Sequence, residues 1–297
     1  MQAQILLLLP MAFLLPPRAW AGEIIGGKNA KPHSRPYMAY LDIQRRNKLI
    51  NCGGFLVAEN FVLTAAHCNG DKITVKLGAH NISKQERSQQ EIPVCRHILH
   101  PQYDSETTNN DIMLLQVPPP FHHLAPSDLT LLQLAETVKL NKWVKTIPLP
   151  RTNKREKPGT KCSVAGWGRT SKQSESAPAT TLQEANLKVL EDDVCLKNPD
   201  VTYYDYDAST MMCVGDPKKG KASFRGDSGG PLVCGKRAQG IVSWGSQNSA
   251  SPGVYTRVST FISWIKETMR MLEPQAEPGI AARARAAPLL SFGEAQM

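Results

Sequence analysis

Apolar residues in this chain come in short runs fenced by turn formers, and that spacing constrains the fold more than any other feature. From Ile24 onward the runs are Tyr37 to Ile43, Gly54 to Val57, Ile73 to Leu77, Ile112 to Val117, Leu187 to Leu190 and Gly240 to Trp244. Closely spaced short strands with few helical stretches predict an all-β sandwich or barrel. A chain of 297 residues can bury a sizeable core, as one large domain or two smaller ones. One helix is predicted at the end of the body, where Phe261, Ile262, Ile265, Met269 and Leu272 recur at roughly helical spacing. Ser259 or Thr260 is placed to cap it.

The two ends differ from this body. Ile5 to Leu15 is apolar apart from Pro10, and Pro16-Pro17 and Ala19-Trp20-Ala21 follow. An apolar core before an Ala-x-Ala site predicts a secretory signal peptide over residues 1–21, although its start lacks the usual Lys or Arg. No run reaches the ~18 apolar residues of a membrane-spanning helix, so no span is expected. Residues 273–297 are biased to Ala, Pro and Arg without a core period and read as a disordered tail. Seven cysteines in a secreted chain predict three disulfides and one leftover thiol. None forms a CxxC pair, so no zinc site is expected, and nothing calls for a cofactor. Asn81-Ile82-Ser83 is a glycosylation sequon in a polar stretch.

The formal charge is +9, and between Ile24 and Leu272 the 32 basic and 22 acidic residues give +10, so the excess sits in the body. Such a field favours acidic partners, sulfated proteoglycans among them. No basic stretch is interleaved with aromatics that could stack on bases, so nucleic acid is not expected as a partner.

Three motifs carry chemistry. Leu63 to Cys68 (LTAAHC) leads small residues into His67, and Asn110 to Leu115 (NDIMLL) starts an apolar strand with Asp111. Gly226 to Leu232 (GDSGGPL) sets Ser228 among glycines. A serine hydroxyl is a weak nucleophile until a base takes its proton. His67 has the right pKa range to accept and return that proton. A buried Asp111 would fix the imidazole tautomer and stabilise the imidazolium. The N–H groups of Gly226 and Ser228 would hold the developing oxyanion. Gly226 to Gly230 also fits the GxSxG elbow of α/β-hydrolases, but that fold orders its triad serine, acid, histidine. Here the order is histidine, acid, serine, which argues against it.

With these motifs in place, residues 24–272 resemble a chymotrypsin-fold serine peptidase, most closely the granzyme and mast-cell chymase branch. The shared stretches include IIGG at Ile24, KPHSRPYMAYL at Lys31, CGGFLV at Cys52 and LGAHNI at Leu77. CSVAGWG at Cys162 and FRGDSGGPLVC at Phe224 extend the likeness. The resemblance implies two six-stranded antiparallel β-barrels with a C-terminal helix, and the triad between the barrels. It implies removal of Gly22-Glu23 by a dipeptidyl peptidase, after which the Ile24 ammonium pairs with Asp227 and orders the oxyanion turn. It implies the disulfides Cys52–Cys68, Cys162–Cys234 and Cys195–Cys213, leaving Cys95 without a partner.

The same resemblance places a specificity pocket at Ala222, Ser223, Ser243, Trp244, Gly245 and Gly253. No carboxylate lies at its base, and no arginine stands at Gly253, where aspartate-cleaving granzymes carry one. An open uncharged pocket favours Phe, Tyr, Leu or Met at the scissile residue. The implied protein is a secreted, granule-stored endopeptidase acting on protein substrates and opposed by serine-protease inhibitors. The alternative is a catalytically impaired granule homologue that binds glycans or microbial surfaces through its charge.

One stretch departs from the family pattern. Residues 117–133 (VPPPFHHLAPSDLTLLQ) carry four prolines, and deleting them joins Gln116 to Leu134 and restores the family spacing. Their pyrimidine-rich codons and the repeated Leu-Leu-Gln at both edges suggest translated intron sequence.

Overall fold

The fold is taken from a computed structural model, which describes residues 27–118, 137–151, 153–169, 177–197, 205–216, 223, 226–245 and 252–273. The signal segment, most of the 117–133 stretch and the tail lie outside these residues. Fourteen strands form two antiparallel sheets. In the first, β2 (Met38–Arg45) pairs with β3 (Lys48–Ala58) and β5 (Lys72–Leu77), and β3 pairs with β4 (Phe61–Thr64). β4 then pairs with β8 (Met113–Gln116), β8 with β7 (Arg96–Leu99), and β5 with β6 (Gln90–Pro93).

This sheet counts seven strands rather than the expected six because one strand is broken in two. Pro93 ends β6, a place where proline removes a ladder donor. The chain then turns through Val94 and Cys95, whose N–H groups donate to Ile73 on β5 (3.0 Å) and Gln116 on β8 (2.8 Å). The corner therefore bridges the gap between β5 and β8.

The second sheet closes on itself. β9 (Lys161–Gly166), β10 (Gln183–Val189), β11 (Met211–Gly215), β14 (Gly253–Arg257), β13 (Arg237–Gly245) and β12 (Pro231–Cys234) form the ring. Short β1 (Lys28–Asn29) adds to β10 from outside. Strand alternation builds each core: Cys162, Val164, Ala185, Leu187, Val189 and Leu232 are buried while their neighbours Lys161, Asn186 and Lys188 face out. Burying one face of each strand removes apolar area from water at roughly 25 cal/mol per Å².

The disulfides are Cys52–Cys68, Cys162–Cys234 and Cys195–Cys213, and Cys95 is free and exposed. A short helix α1 (Asp192–Leu196) carries Cys195 to its partner on β11.

The terminal helix α2 spans Ile262–Leu272 and buries Ile262, Ile265 and Thr268 against the first barrel's core. The expected side-chain cap is absent. A 3₁₀ turn over Val258–Phe261 runs into the helix, and its N-terminus has no side-chain cap. Such a turn supplies carbonyls to the first helical N–H groups, which removes the need for a capping hydroxyl. Ser259 is buried, and Thr260 instead donates to the carbonyl of Ser209 (2.8 Å).

Candidate functional site

β4 ends at Thr64, and the buried Ala65 and Ala66 lead into a 3₁₀ turn that presents His67. The Cys52–Cys68 disulfide ties this turn to β3. Behind it, Arg45 donates to the carbonyls of His67 (2.6 Å) and Asn69 (2.9 Å). Small residues suit this approach because a larger side chain at 65 or 66 would fill space already packed.

Asp111 precedes β8 and is 1% exposed. Burying a carboxylate is costly unless each oxygen finds donors, and both oxygens do. Oδ1 accepts from the His67 backbone N–H (2.9 Å), and Oδ2 lies 2.7 Å from His67 Nδ1. The Ser243 hydroxyl donates to Oδ2 as well, and Thr256 donates to the Asp111 carbonyl (2.8 Å). With Nδ1–H given to the carboxylate, Nε2 is left as the accepting nitrogen of a neutral ring. The His67 side chain is 30% exposed.

Electrostatics follow this geometry. Burial alone pushes the His67 pKa down, but the Asp111 charge and hydrogen bond prevail and hold it above the usual value of 6.5. Burial alone pushes Asp111 up, yet the His67 charge and the hydrogen bonds from His67 and Ser243 hold it below the usual carboxylate range. A base must be neutral to act, so the active fraction grows as pH rises through the His67 pKa. If His67 is the base that the sequence leads one to expect, ester hydrolysis should show an acid limb above pH 6.5, read from kcat/KM against pH with a small ester substrate. A limb below that value would contradict the electrostatics of this pair.

Ser228 lies in a turn between two glycines that only glycine can fill. Gly226 has φ +98° and Gly229 φ +79°. A Cβ on Gly229 would lie 2.1 Å from Thr64 Oγ1 and 2.4 Å from the Gly53 carbonyl. The serine turn is thus seated directly on the end of β4 that delivers His67. The Ser228 carbonyl accepts from Gly53 N–H (2.7 Å), and Gly229 N–H donates to Val242 (2.8 Å). Among the described residues, no hydrogen bond occupies the N–H of Gly226 or of Ser228. Asp227 points inward, fully buried, and accepts from Gly168 N–H (2.9 Å). Its expected partner Ile24 lies outside the described residues.

Of the expected pocket residues, Ser243, Trp244 and Gly245 fall on β13 and Gly253 starts β14, while Ser223 lies outside both strands. Gly245 and Gly253 face each other across the strand pair. A Cβ on Gly253 would come within 3.3 Å of the Tyr255 ring and 3.8 Å of Ser223 Oγ. Tyr255 donates its hydroxyl to Ser223 Oγ (2.9 Å), and burial pushes its own pKa well up, so it stays neutral. Trp244 is half-buried next to this pair, and Ala222 lies outside the described residues.

Ser243 is placed elsewhere in function from its neighbours: its hydroxyl serves Asp111, a role that its position in sequence gave no sign of. Thr256 and Arg45 are further residues of the site that motif reading passed over. Their contacts span 145 and 22 positions of chain, and no local signal marks them.

Asn81 is half-buried, and its Oδ1 accepts from the Ser83 N–H (3.0 Å) and hydroxyl (2.7 Å). The one group of three metal-ligating side chains among the described residues is Cys52, His67 and Cys68. Both sulfurs are joined in a disulfide, so neither is a thiolate for a metal. No helix of the described residues is long and apolar enough to cross a membrane.

The chain is similar to known proteins over most of its length. A family model described as Trypsin matches residues 24–265. Human granzyme B is 51% identical over 264 residues, covering 89% of this chain and 98% of that protein. Human cathepsin G is 50% identical, covering 89% and 94%, and sheep mast cell protease 3 is 49% identical, covering 91% and 98%. A solved structure described as "Structure of GrC" superposes with TM-score 0.73 at 45% identity, covering 83% of this chain and all of that one.

Proposed function

This chain belongs to the trypsin family and is a serine endopeptidase, and we propose that it cleaves after bulky apolar residues using Ser228, His67 and Asp111. The observation that supports the triad is the buried Asp111 carboxylate, held by three donors, the His67 backbone N–H, His67 Nδ1 and the Ser243 hydroxyl. In the reaction, His67 Nε2 takes the Ser228 hydroxyl proton as Oγ attacks the scissile carbonyl. The resulting imidazolium is stabilised by Asp111. The carbonyl oxygen becomes an oxyanion held by the Gly226 and Ser228 N–H groups, a single such donor being worth roughly 3 kcal/mol. His67 then gives its proton to the leaving amine, and water repeats the sequence on the acyl-enzyme.

The paired glycines at 245 and 253 and the neutral Ser223–Tyr255 base support an open pocket without charge. A lysine, arginine or aspartate side chain would lose its water there without gaining a partner. Apolar pockets separate neighbours in size by only ~10- to 200-fold per methylene, so Phe, Tyr, Leu and Met should all be accepted. A fluorogenic panel varied at the scissile position tests this. Values of kcat/KM for these four should exceed those for Lys, Arg and Asp by about 100-fold or more. A preference for any of the charged three sinks the pocket reading.

Secretion, storage in granules, glycosylation at Asn81 and activation by removal of Gly22-Glu23 complete the proposal. The signal-like N-terminus and the relatives named granzyme B and mast cell protease 3 support the first two. Sulfated proteoglycans are the proposed storage partner, supported by the +10 charge between Ile24 and Leu272. Serine-protease inhibitors would engage the same cleft as substrates.

A further inference from the structure

On the outer face of the second barrel lies a cavity of about 750 Å³, within the range of natural ligand pockets. None of His67, Asp111 or Ser228 lines it. It opens between strands β9, β10 and β12 and the segment that joins the two barrels. Tyr37, Ile147, Pro148 and Val233 give it an apolar floor. Three cations, Lys161, Lys188 and Lys236, stand around that floor, against the single carboxylate of Asp216.

The lysines are arranged against their own interest. Lys161 and Lys188 are direct cross-strand partners, a position in which like charges repel. Lys236 holds φ +70° in the turn between β12 and β13. Gly235 before it has φ +55°, and positive φ at both central residues is what a two-residue hairpin turn of this kind requires. None of the three makes an ion pair with a described residue. Nearby cation Arg35 behaves differently: it is bound to Glu184, Tyr37 and Ser163 and is thereby neutralised and fixed. Repulsion left unrelieved around an apolar floor is relieved by an anion that also carries apolar groups.

We propose that this groove docks an acidic peptide segment of a protein substrate, with apolar side chains on Tyr37, Pro148 and Val233 and carboxylates on the three lysines. The proposal rests on the peptidase reading for its purpose, though not for its binding chemistry. A neutral polysaccharide would leave the lysines unpaired, and a purely ionic chain would leave the floor unfilled.

The test uses a fluorescein-labelled peptide of alternating Glu and Leu, with Lys-for-Glu and Ser-for-Leu counterparts, followed by fluorescence anisotropy. The protein begins at Ile24 and carries Ser228→Ala so that the peptide survives. The Glu–Leu peptide should bind and weaken with added salt, as exposed charge pairs do. Combining Lys161→Ala, Lys188→Ala and Lys236→Ala should weaken it at least about tenfold, and both counterpart peptides should bind poorly. The peptide contrast keeps the test decisive if the triple variant folds badly. A sulfated heparin hexasaccharide is measured alongside. Unchanged peptide binding in a folded triple variant overturns the proposal, as does loss of the hexasaccharide alone, which would make the groove a glycan site.

With Ser228 intact, the triple variant should cleave a short neutral peptide normally. It should lose about tenfold in kcat/KM on a reporter protein carrying the Glu–Leu segment. No cleavage of the neutral peptide by either form would fail the peptidase reading and leave the anisotropy result to decide the groove.

Discussion

Asp111→Asn should lower kcat by about 10⁴-fold while leaving the protein folded. The reason lies in the count of donors around one carboxylate. Oδ1 accepts from the His67 backbone N–H, and Oδ2 accepts from His67 Nδ1 and from Ser243. An asparagine has one accepting oxygen and one donating nitrogen. If its oxygen stays with the backbone N–H, its amide faces Nδ1 and the ring must turn to the other tautomer. Nε2 then carries the proton and can no longer accept one from Ser228. The reverse flip sets the amide against the backbone N–H, which disrupts the turn itself. The acid limb of the pH profile should also move down, because the charge that raises the His67 pKa is gone. Measurement of kcat against pH for both proteins reads both effects. A loss under tenfold would mean that Asp111 does not set the tautomer.

Retaining Gly22-Glu23 should leave the enzyme nearly inactive, by at least about 10²-fold in kcat/KM. Asp227 is fully buried next to Ser228, and Gly166 and Gly168 make room for its carboxylate. A Cβ on Gly166 would lie 2.2 Å from Asp227 Oδ1, so the acid is built into the wall beneath the serine turn. The proposed cation is the ammonium of Ile24, which exists only after the dipeptide is removed. Leaving one partner of a buried pair without the other costs about 3–5 kcal/mol, enough to loosen the turn that aims the Gly226 and Ser228 N–H groups. Comparing proteins that begin at Gly22 and at Ile24 checks this, with Asp227→Asn in the Ile24 form expected to reproduce the loss. Equal activity of the two N-terminal forms would remove the switch.

Much of the site was legible because its parts are local motifs. A run of small residues before His67, a carboxylate before an apolar strand and a serine among glycines each announce their chemistry within a few positions. The all-β fold was legible for a similar reason, since strand alternation repeats at short range. What escaped depends on strands far apart in the chain. Ser243 reaches Asp111 across 132 positions and Thr256 across 145, and nothing around either residue distinguishes a hydroxyl that serves a carboxylate from one lining a pocket. The helix start differs from its expected cap because Ser259 and Thr260 resemble capping residues only in local sequence. Tertiary packing folds them into a 3₁₀ turn and gives Thr260 another acceptor. The split of one strand at Pro93 turns on barrel closure, a property of the whole sheet.

The most direct test is labelling by a fluorophosphonate probe, which reacts with a serine only when a neighbouring base activates it. The chain is prepared from Ile24, with Ser228→Ala and the Gly22-Glu23 form beside it. Stoichiometric labelling of the Ile24 form, little of the extended form and none of Ser228→Ala is the predicted result. A folded Ile24 form that stays unlabelled would contradict an activated Ser228, and would favour a homologue that binds through its charge without catalysis.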